Sequence, residues 1–217
     1  MQGIIQSDEW LAKWTKVSER SQKLISSLDG WNEAVIARTI AAAIPNETAL
    51  FVSSSRPIRD LEGFASPRTG IHVYANRGLA GIDGNISTAL GIAYSHKATT
   101  AVLGDLSFLH DLTGLIQKEP INCRFIVINN DGGGIFSTLP QRGANGFETV
   151  FGTPHGLNPA AIAQAMGINA KQVSTLKELE AELHSPISGI SVVVCHVPNR
   201  ESNADNLKGI YDSLSSI

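Results

Sequence analysis

Apolar positions along the 217-residue chain fall into two alternating rhythms. Short continuous apolar runs occupy 49–53, 71–75, 99–104, 123–129 and 191–197, and a weaker one lies at 169–174. Between them, stretches near 57–65, 83–97, 106–118, 158–167, 175–185 and 201–216 carry apolar residues at helical spacing. The first pattern predicts strands and the second amphipathic helices. A run such as Arg124-Phe125-Ile126-Val127-Ile128 puts apolar groups on both faces of an extended chain, as in a parallel sheet covered by helices. The fold class is therefore α/β, a doubly wound, mainly parallel sheet with helices on both faces. Two further helices are expected ahead of it. Trp10, Leu11, Trp14, Val17, Ser21, Leu24 and Leu28 keep helical spacing over 8–28, and Asp29-Gly30 stops that helix. Another runs from Asn32 to Ala43 and ends before Pro45.

Composition narrows the function classes. Apolar content of 42% and mean hydropathy of +0.02 suit an ordinary globular chain with one substantial core. A net charge of −3 offers no footprint for nucleic acid or an anionic membrane. No apolar run approaches the ~20 residues of a membrane span, and Met1-Gln2-Gly3 opens nothing like a signal peptide. Cys123 and Cys195 fall in or beside predicted strands and read as buried reduced thiols. A cytoplasmic location is the default expectation.

The chemistry gathers at strand ends. Asp105 ends one apolar run and Asn129-Asn130 ends the next, a separation that one strand–helix–strand crossover spans. That spacing predicts that Asp105, Asn130 and the backbone carbonyl near Gly132 meet at the carboxyl edge of the sheet, where ligands of open α/β sheets bind. Three oxygens of mixed charge suit Mg²⁺, which shares its octahedral sphere with water and phosphate. The turn after Asp105 opens a helix whose unpaired N–H groups can hold a diphosphate.

Two other strand ends converge on the same edge. Asn76-Arg77-Gly78-Leu79-Ala80-Gly81-Ile82-Asp83-Gly84 is glycine-rich, and Arg77 can bind a carboxylate or phosphate. Ser53-Ser54-Ser55-Arg56-Pro57-Ile58-Arg59-Asp60 places hydroxyls before a proline-started helix. Taken alone, Ser55 also reads as an N-cap and Arg59 as a surface charge. The irregular stretch 132–157 is rich in Gly and Pro, and Ile135, Phe136 and Leu139 within it are candidates for a pocket wall or for core. No zinc-type spacing links the six histidines, and His110, one turn beyond Asp105, is the one expected nearest the site.

Taken together, these segments resemble a known family. Gly104-Asp105 followed by Asn129-Asn130 is similar to the thiamine diphosphate signature, with Leu106 where a third glycine is usual. The words Asn76-Arg77-Gly78…Gly81-Ile82-Asp83-Gly84, Gly104-Asp105-Leu106-Ser107-Phe108-Leu109-His110-Asp111 and Asn129-Asn130-Asp131-Gly132-Gly133-Gly134-Ile135-Phe136 resemble the MenD family, the 2-succinyl-5-enolpyruvyl-6-hydroxy-3-cyclohexene-1-carboxylate synthases, in which Leu at that third position is usual. The Trp10-Leu11-x-x-Trp14 helix resembles the segment leading into that family's last domain. The likeness implies a linker helix in 1–30 and a thiamine diphosphate domain in 31–217.

The resemblance implies cofactor contacts from Gly81, Ile82, Asp83, Gly104, Asp105, Leu106, Ser107, Asn130, Gly132, Gly133 and Ile135. It implies Mg²⁺ (or Mn²⁺) on Asp105, Asn130 and the Gly132 carbonyl, and Ile82 as the apolar buttress under the bent cofactor. Ser55, Arg59 and Arg77 would contact substrate carboxylates, with Phe136 and Leu139 on the apolar side of the pocket. The family decarboxylates 2-oxoglutarate and adds the succinyl unit to isochorismate in menaquinone biosynthesis. Its other domains, including the pyrimidine-binding domain with the catalytic glutamate, have no match here, so another polypeptide segment is expected to complete the site in a homo-oligomeric enzyme. A different thiamine diphosphate-dependent 2-oxo acid decarboxylase or acetohydroxy acid synthase, and a non-catalytic cofactor-binding module, are the alternatives.

Overall fold

The computed structural model describes residues 8–117 and 119–217. Six parallel strands form one sheet: β1 (Ala49–Val52), β2 (His72–Tyr74), β3 (Thr99–Gly104), β4 (Cys123–Asn129), β5 (Asn169–Val173) and β6 (Ile190–His196). Their order is β2-β1-β3-β4-β6-β5, every neighbouring pair being parallel. Among the described residues eight α-helices accompany them: α1 (Asp8–Ser27), α2 (Glu33–Ala43), α3 (Arg56–Phe64), α4 (Asn85–Ala93), α5 (Asp105–Leu109), α6 (Pro159–Ala165), α7 (Leu176–His184) and α8 (Arg200–Ser215).

The period of two along each strand sorts side chains between the faces. Phe125 and Val127 of β4, with Ala101 and Leu103 of β3, pack under α4, α5 and α6. Ile126 and Ile128, with Val102, pack under α2, α3 and α7. Burial of Phe51, Phe108 and Phe125 is complete, and each contributes about 1.5–3 kcal/mol on transfer grounds. Arg124 interrupts the apolar pattern of β4, yet it is buried: its guanidinium donates to the Ser185 carbonyl at 3.0 Å and the Leu183 carbonyl at 3.4 Å. A cation there complements the carbonyl end of α7.

Two expected elements differ from the structure. The helix expected over 106–118 breaks into α5 and a 3₁₀ turn, Leu112–Leu115. Asp111 separates them because its carboxylate accepts from Ser87 N at 2.7 Å and Ser87 Oγ at 3.1 Å, a tertiary contact that overrides local propensity. The helix expected over 83–97 is shortened to α4, which starts after Gly84 in the left-handed region (φ 63°). In α1 the apolar stripe is divided. Ile25 is buried, with Leu24 and Leu28 packed beside it against α2, α3 and α8, whereas Trp10, Leu11, Trp14 and Val17 are exposed.

β1 lies between β2 and β3, so the chain moves to one side of β1 and then returns to the other. The carboxyl ends of β1 and β3 flank this reversal, the place where open sheets leave a crevice.

Candidate functional site

Strand register sets the centre of this crevice. Gly104 of β3 pairs with Ile128 of β4, so Asp105, one residue beyond Gly104, and Asn130, the first residue after β4, leave the sheet at the same edge. Asn130 continues the side of Ile126 and Ile128, the one that faces α2, and its Nδ2 donates to Glu33 Oε1 at 2.6 Å. Glu33 sits in the first turn of α2, where Asn32 caps the helix by accepting from Val35 N at 3.1 Å. Trp31 Nε1 donates to the His196 carbonyl at 2.7 Å and pins that start to the end of β6. Asn130 Oδ1 is buried and has no hydrogen-bond partner among the described residues.

The Asp105 carboxylate is buried and surrounded by donors. Oδ1 accepts from Leu106 N at 2.7 Å, and Oδ2 accepts from Gly132 N at 2.9 Å. His155 Nε2 lies 3.2 Å from Oδ2, while its Nδ1 accepts the Leu157 amide at 2.9 Å. With Nδ1 accepting, Nε2 carries the proton and donates to Asp105. Burial pushes the Asp105 pKa above the usual carboxylate range, and the Gly132, Leu106 and His155 donors oppose that push. Because Asp105 already takes the Leu106 amide, the short α5 offers fewer free N–H groups than the sequence suggested.

A loop with two helical turns, Gly134–Thr138 and Glu148–Gly152, closes one side of the site. Gly132 has φ 130°, and a Cβ there would run into the Gly152 carbonyl. A Cβ at Gly134 would strike the Asn130 amide. These two positions need glycine for close approach. Arg200, at the start of α8, donates to the Asp131 carbonyl and pairs with Glu148, tying the loop to α8. Asp131 also accepts from His155 N at 3.0 Å and Gly156 N at 2.8 Å.

A cleft of about 440 Å³ opens over these groups. Its wall carries most of the expected residues: Ser55, Arg59, Arg77 and Ile82 on one side, and Gly104, Asp105, Leu106, Ser107, Asn130, Gly132, Gly133, Ile135 and Phe136 on the other. Gly81 and Asp83 lie in the loop beside Ile82 but do not line the cleft. Leu139 belongs elsewhere: it lines a neighbouring cavity against α8, with Leu207 and Tyr211, because the turn Gly134–Thr138 carries it past the rim. His110 is exposed, and His155 is the histidine at the site.

Ser55 occupies the N-cap position of α3 but makes no capping bond; its backbone is held at φ 74°, ψ −132°. A left-handed serine at a cleft rim stores strain, as functional sites often do. Arg59 donates to the Ser55 carbonyl at 2.7 Å. Among the described residues neither Arg59 nor Arg77 has a carboxylate within ion-pair distance, and both are exposed. Arg56 is the opposite. It is buried, lies 3.9 Å from Glu33 through Nε, and pairs with Asp60 one turn on. Burial pushes Asp60 up to about 7 and raises Glu33 as well, with Arg56 opposing both shifts.

Glu33, Arg56, Asp60 and His155 were absent from the sequence-based set. An i,i+4 Arg–Asp pair was a visible signal for Arg56 and Asp60. Glu33 gave none, since acidic residues are common in a helix's first turn. Among the described residues no three of His, Cys, Asp and Glu form a cation cluster. The oxygens whose chemistry fits a hard divalent cation are instead the Asp105 carboxylate and the Asn130 Oδ1, which has no partner among the described residues; both residues line the cleft.

Residues 60–197 match the family described as thiamine pyrophosphate enzyme, C-terminal TPP binding domain. Curated relatives include 2-succinyl-5-enolpyruvyl-6-hydroxy-3-cyclohexene-1-carboxylate synthases. That of Thermobifida fusca is 43% identical over 74% of this chain and 31% of its own length. Those of Nocardia farcinica and Staphylococcus haemolyticus are 40% and 34% identical, over 85% and 100% of this chain and 36% and 39% of their own lengths. The chain thus spans about a third of the length of these relatives. A solved Mycobacterium smegmatis protein assigned to the thiamin diphosphate-dependent enzymes superposes with TM-score 0.57 over 77% of this chain and 31% of that one, at 20% identity, which shows the fold. With more than half of its length matched by the family model, the chain belongs to the thiamine pyrophosphate enzymes, as a C-terminal TPP-binding domain.

Proposed function

We propose that this chain is the diphosphate-binding portion of a 2-succinyl-5-enolpyruvyl-6-hydroxy-3-cyclohexene-1-carboxylate synthase. In this reading residues 1–30, of which 1–7 lie outside the described residues, are the segment that links into residues 31–217, the cofactor domain, and the complete enzyme is a cytoplasmic homo-oligomer. Two buried free thiols are in keeping with that location. The observation that carries the reading is that Asp105 and Asn130, whose Oδ1 has no partner among the described residues, line one cleft with Arg59 and Arg77, neither of them ion-paired among the described residues.

Asp105, Asn130 and the Gly132 carbonyl would hold Mg²⁺ or Mn²⁺ on the cofactor diphosphate. Bound thiamine diphosphate supplies the electron sink for decarboxylating a 2-oxo acid. The chain's own work is to position and to exclude water. Ile82, Ile135 and Phe136 give the cleft apolar walls, which strengthen every charge interaction inside it. Arg77, and the part of the Arg59 guanidinium that the Ser55 carbonyl does not engage, would supply donors for the carboxylates of 2-oxoglutarate and isochorismate. Ser55 adds a hydroxyl-bearing residue to the same cleft. The catalytic glutamate and the pyrimidine pocket come from another polypeptide segment.

The test is complementation. The chain, combined with the amino-terminal portion of such a synthase, thiamine diphosphate, Mg²⁺, 2-oxoglutarate and isochorismate, should form product, and pyruvate should not replace 2-oxoglutarate. Two folded, associated parts that yield no product, or that prefer pyruvate, overturn the reading.

A further inference from the structure

We propose that Glu33 is a positioning residue that sets which end of the Asn130 amide faces the cation site. The inference rests on the reading of Asp105 and Asn130 as cation ligands, and goes beyond it to a residue 97 positions away that is no ligand itself.

An asparagine amide has an accepting end and a donating end, exchanged by a half-turn about its last bond. Only the accepting end can bind a cation; the reverse orientation points N–H groups at it. Glu33 Oε1 lies 2.6 Å from Asn130 Nδ2. A carboxylate oxygen can only accept, so this contact exists in one orientation of the amide. In that orientation Oδ1 is left buried, without a partner among the described residues, on a residue that lines the same cleft as Asp105. The half-turned amide would set two oxygens against each other at the same distance. Glu33 thus makes the amide's choice before any cation arrives.

Glu33 is itself restrained. Arg56 Nε stands 3.9 Å from its second oxygen, and Asp60 holds Arg56 from the other side. Both Glu33 and Arg56 are buried, so neither is free to swing toward solvent. Asp105 gets equivalent support from His155 at 3.2 Å. Partners that orient a metal ligand typically change metal affinity by about 10–100-fold when removed.

The experiment uses the chain assembled with the amino-terminal portion of a related synthase, with thiamine diphosphate present and Mn²⁺ as the probe, free Mn²⁺ being counted by electron paramagnetic resonance. Glu33→Gln keeps an accepting oxygen and should hold Mn²⁺ within about threefold of the wild type. Glu33→Leu removes it and should weaken Mn²⁺ by about 10–100-fold. Should the Leu variant not fold, Glu33→Asp withdraws the oxygen by one methylene and carries the same expected loss. In ¹⁵N spectra of the chain, the Asn130 side-chain amide should show one strongly downfield proton in the wild type and the Gln variant, and lose it in the Leu or Asp variant. Equal Mn²⁺ affinity in wild type and Leu variant, or equal weakening by Gln and Leu, overturns the role of Glu33 alone. A wild type that holds no Mn²⁺ overturns the cation site and the role of Glu33 with it.

Discussion

Asp105 Oδ2 accepts the Gly132 amide at 2.9 Å, a bond that joins the end of β3 to the loop leaving β4. It gives Asp105 two tasks, holding the loop and offering charge to a ligand. Asp105→Ala should therefore lose Mg²⁺-dependent cofactor affinity by at least about tenfold. The orphaned Gly132 and Leu106 amides should cost about 1–3 kcal/mol of stability without unfolding the chain. Calorimetric titration beside denaturant unfolding checks both; unchanged affinity would remove Asp105 from the cation site.

Ser55 offers a way to separate strain from chemistry. At φ 74° glycine is at ease and alanine is not. Ser55→Gly should be about 1 kcal/mol more stable than Ser55→Ala, while both lose the hydroxyl and both lower turnover of the assembled enzyme. Equal stability of the two variants in urea would show that the strained backbone contributes nothing.

Asp60 sets a pH dependence of stability. Its folded pKa is raised by burial to about 7 from an unfolded value of 3.8, so between these values the folded state binds more protons than the unfolded state. Stability then falls as pH rises from about 4 to about 7 and levels off above. Asp60→Asn should make that slope shallower. Denaturant unfolding at several pH values decides it, and identical slopes in the two proteins would contradict the assignment.

Arg77 lies exposed at the cleft, without an ion-pair partner among the described residues. Arg77→Ala should raise the KM of a carboxylate substrate by about 10–100-fold and leave cofactor affinity nearly unchanged. The reverse pattern in steady-state kinetics and calorimetry would reassign Arg77 to the diphosphate.

Strands buried on both faces were the most legible part of this chain. The continuous apolar runs of β3 and β4 gave the observed bounds, Thr99–Gly104 and Cys123–Asn129, and with them the Asp105/Asn130 pair. Legibility failed wherever a distant contact decided the outcome. Asp111 reaches Ser87 and breaks a helix whose local spacing is sound. Glu33 and His155 join the site from 97 and 50 residues away, and no local pattern marks either. Leu139 shares a segment with Phe136 but ends in the neighbouring cavity, because a 3₁₀ turn and not an extended strand separates them. Spacing read along a strand reports neighbours well; spacing read along an irregular loop does not.

Arg200 has a consequence for the order in which the molecule is made. It is the anchor that grips the Asp131 carbonyl, where the loop over the cleft begins, and Glu148, at the start of that loop's second helical turn. During synthesis the sheet residues of β1, β3 and β4 leave the ribosome well before it does. Until Arg200 emerges, the loop lacks that fastening, and Gly132 is held to Asp105 without its clamp. The loop over the cleft is thus fastened by an element that lies outside the strands carrying Asp105 and Asn130, and completing the pocket requires α8 to be in place.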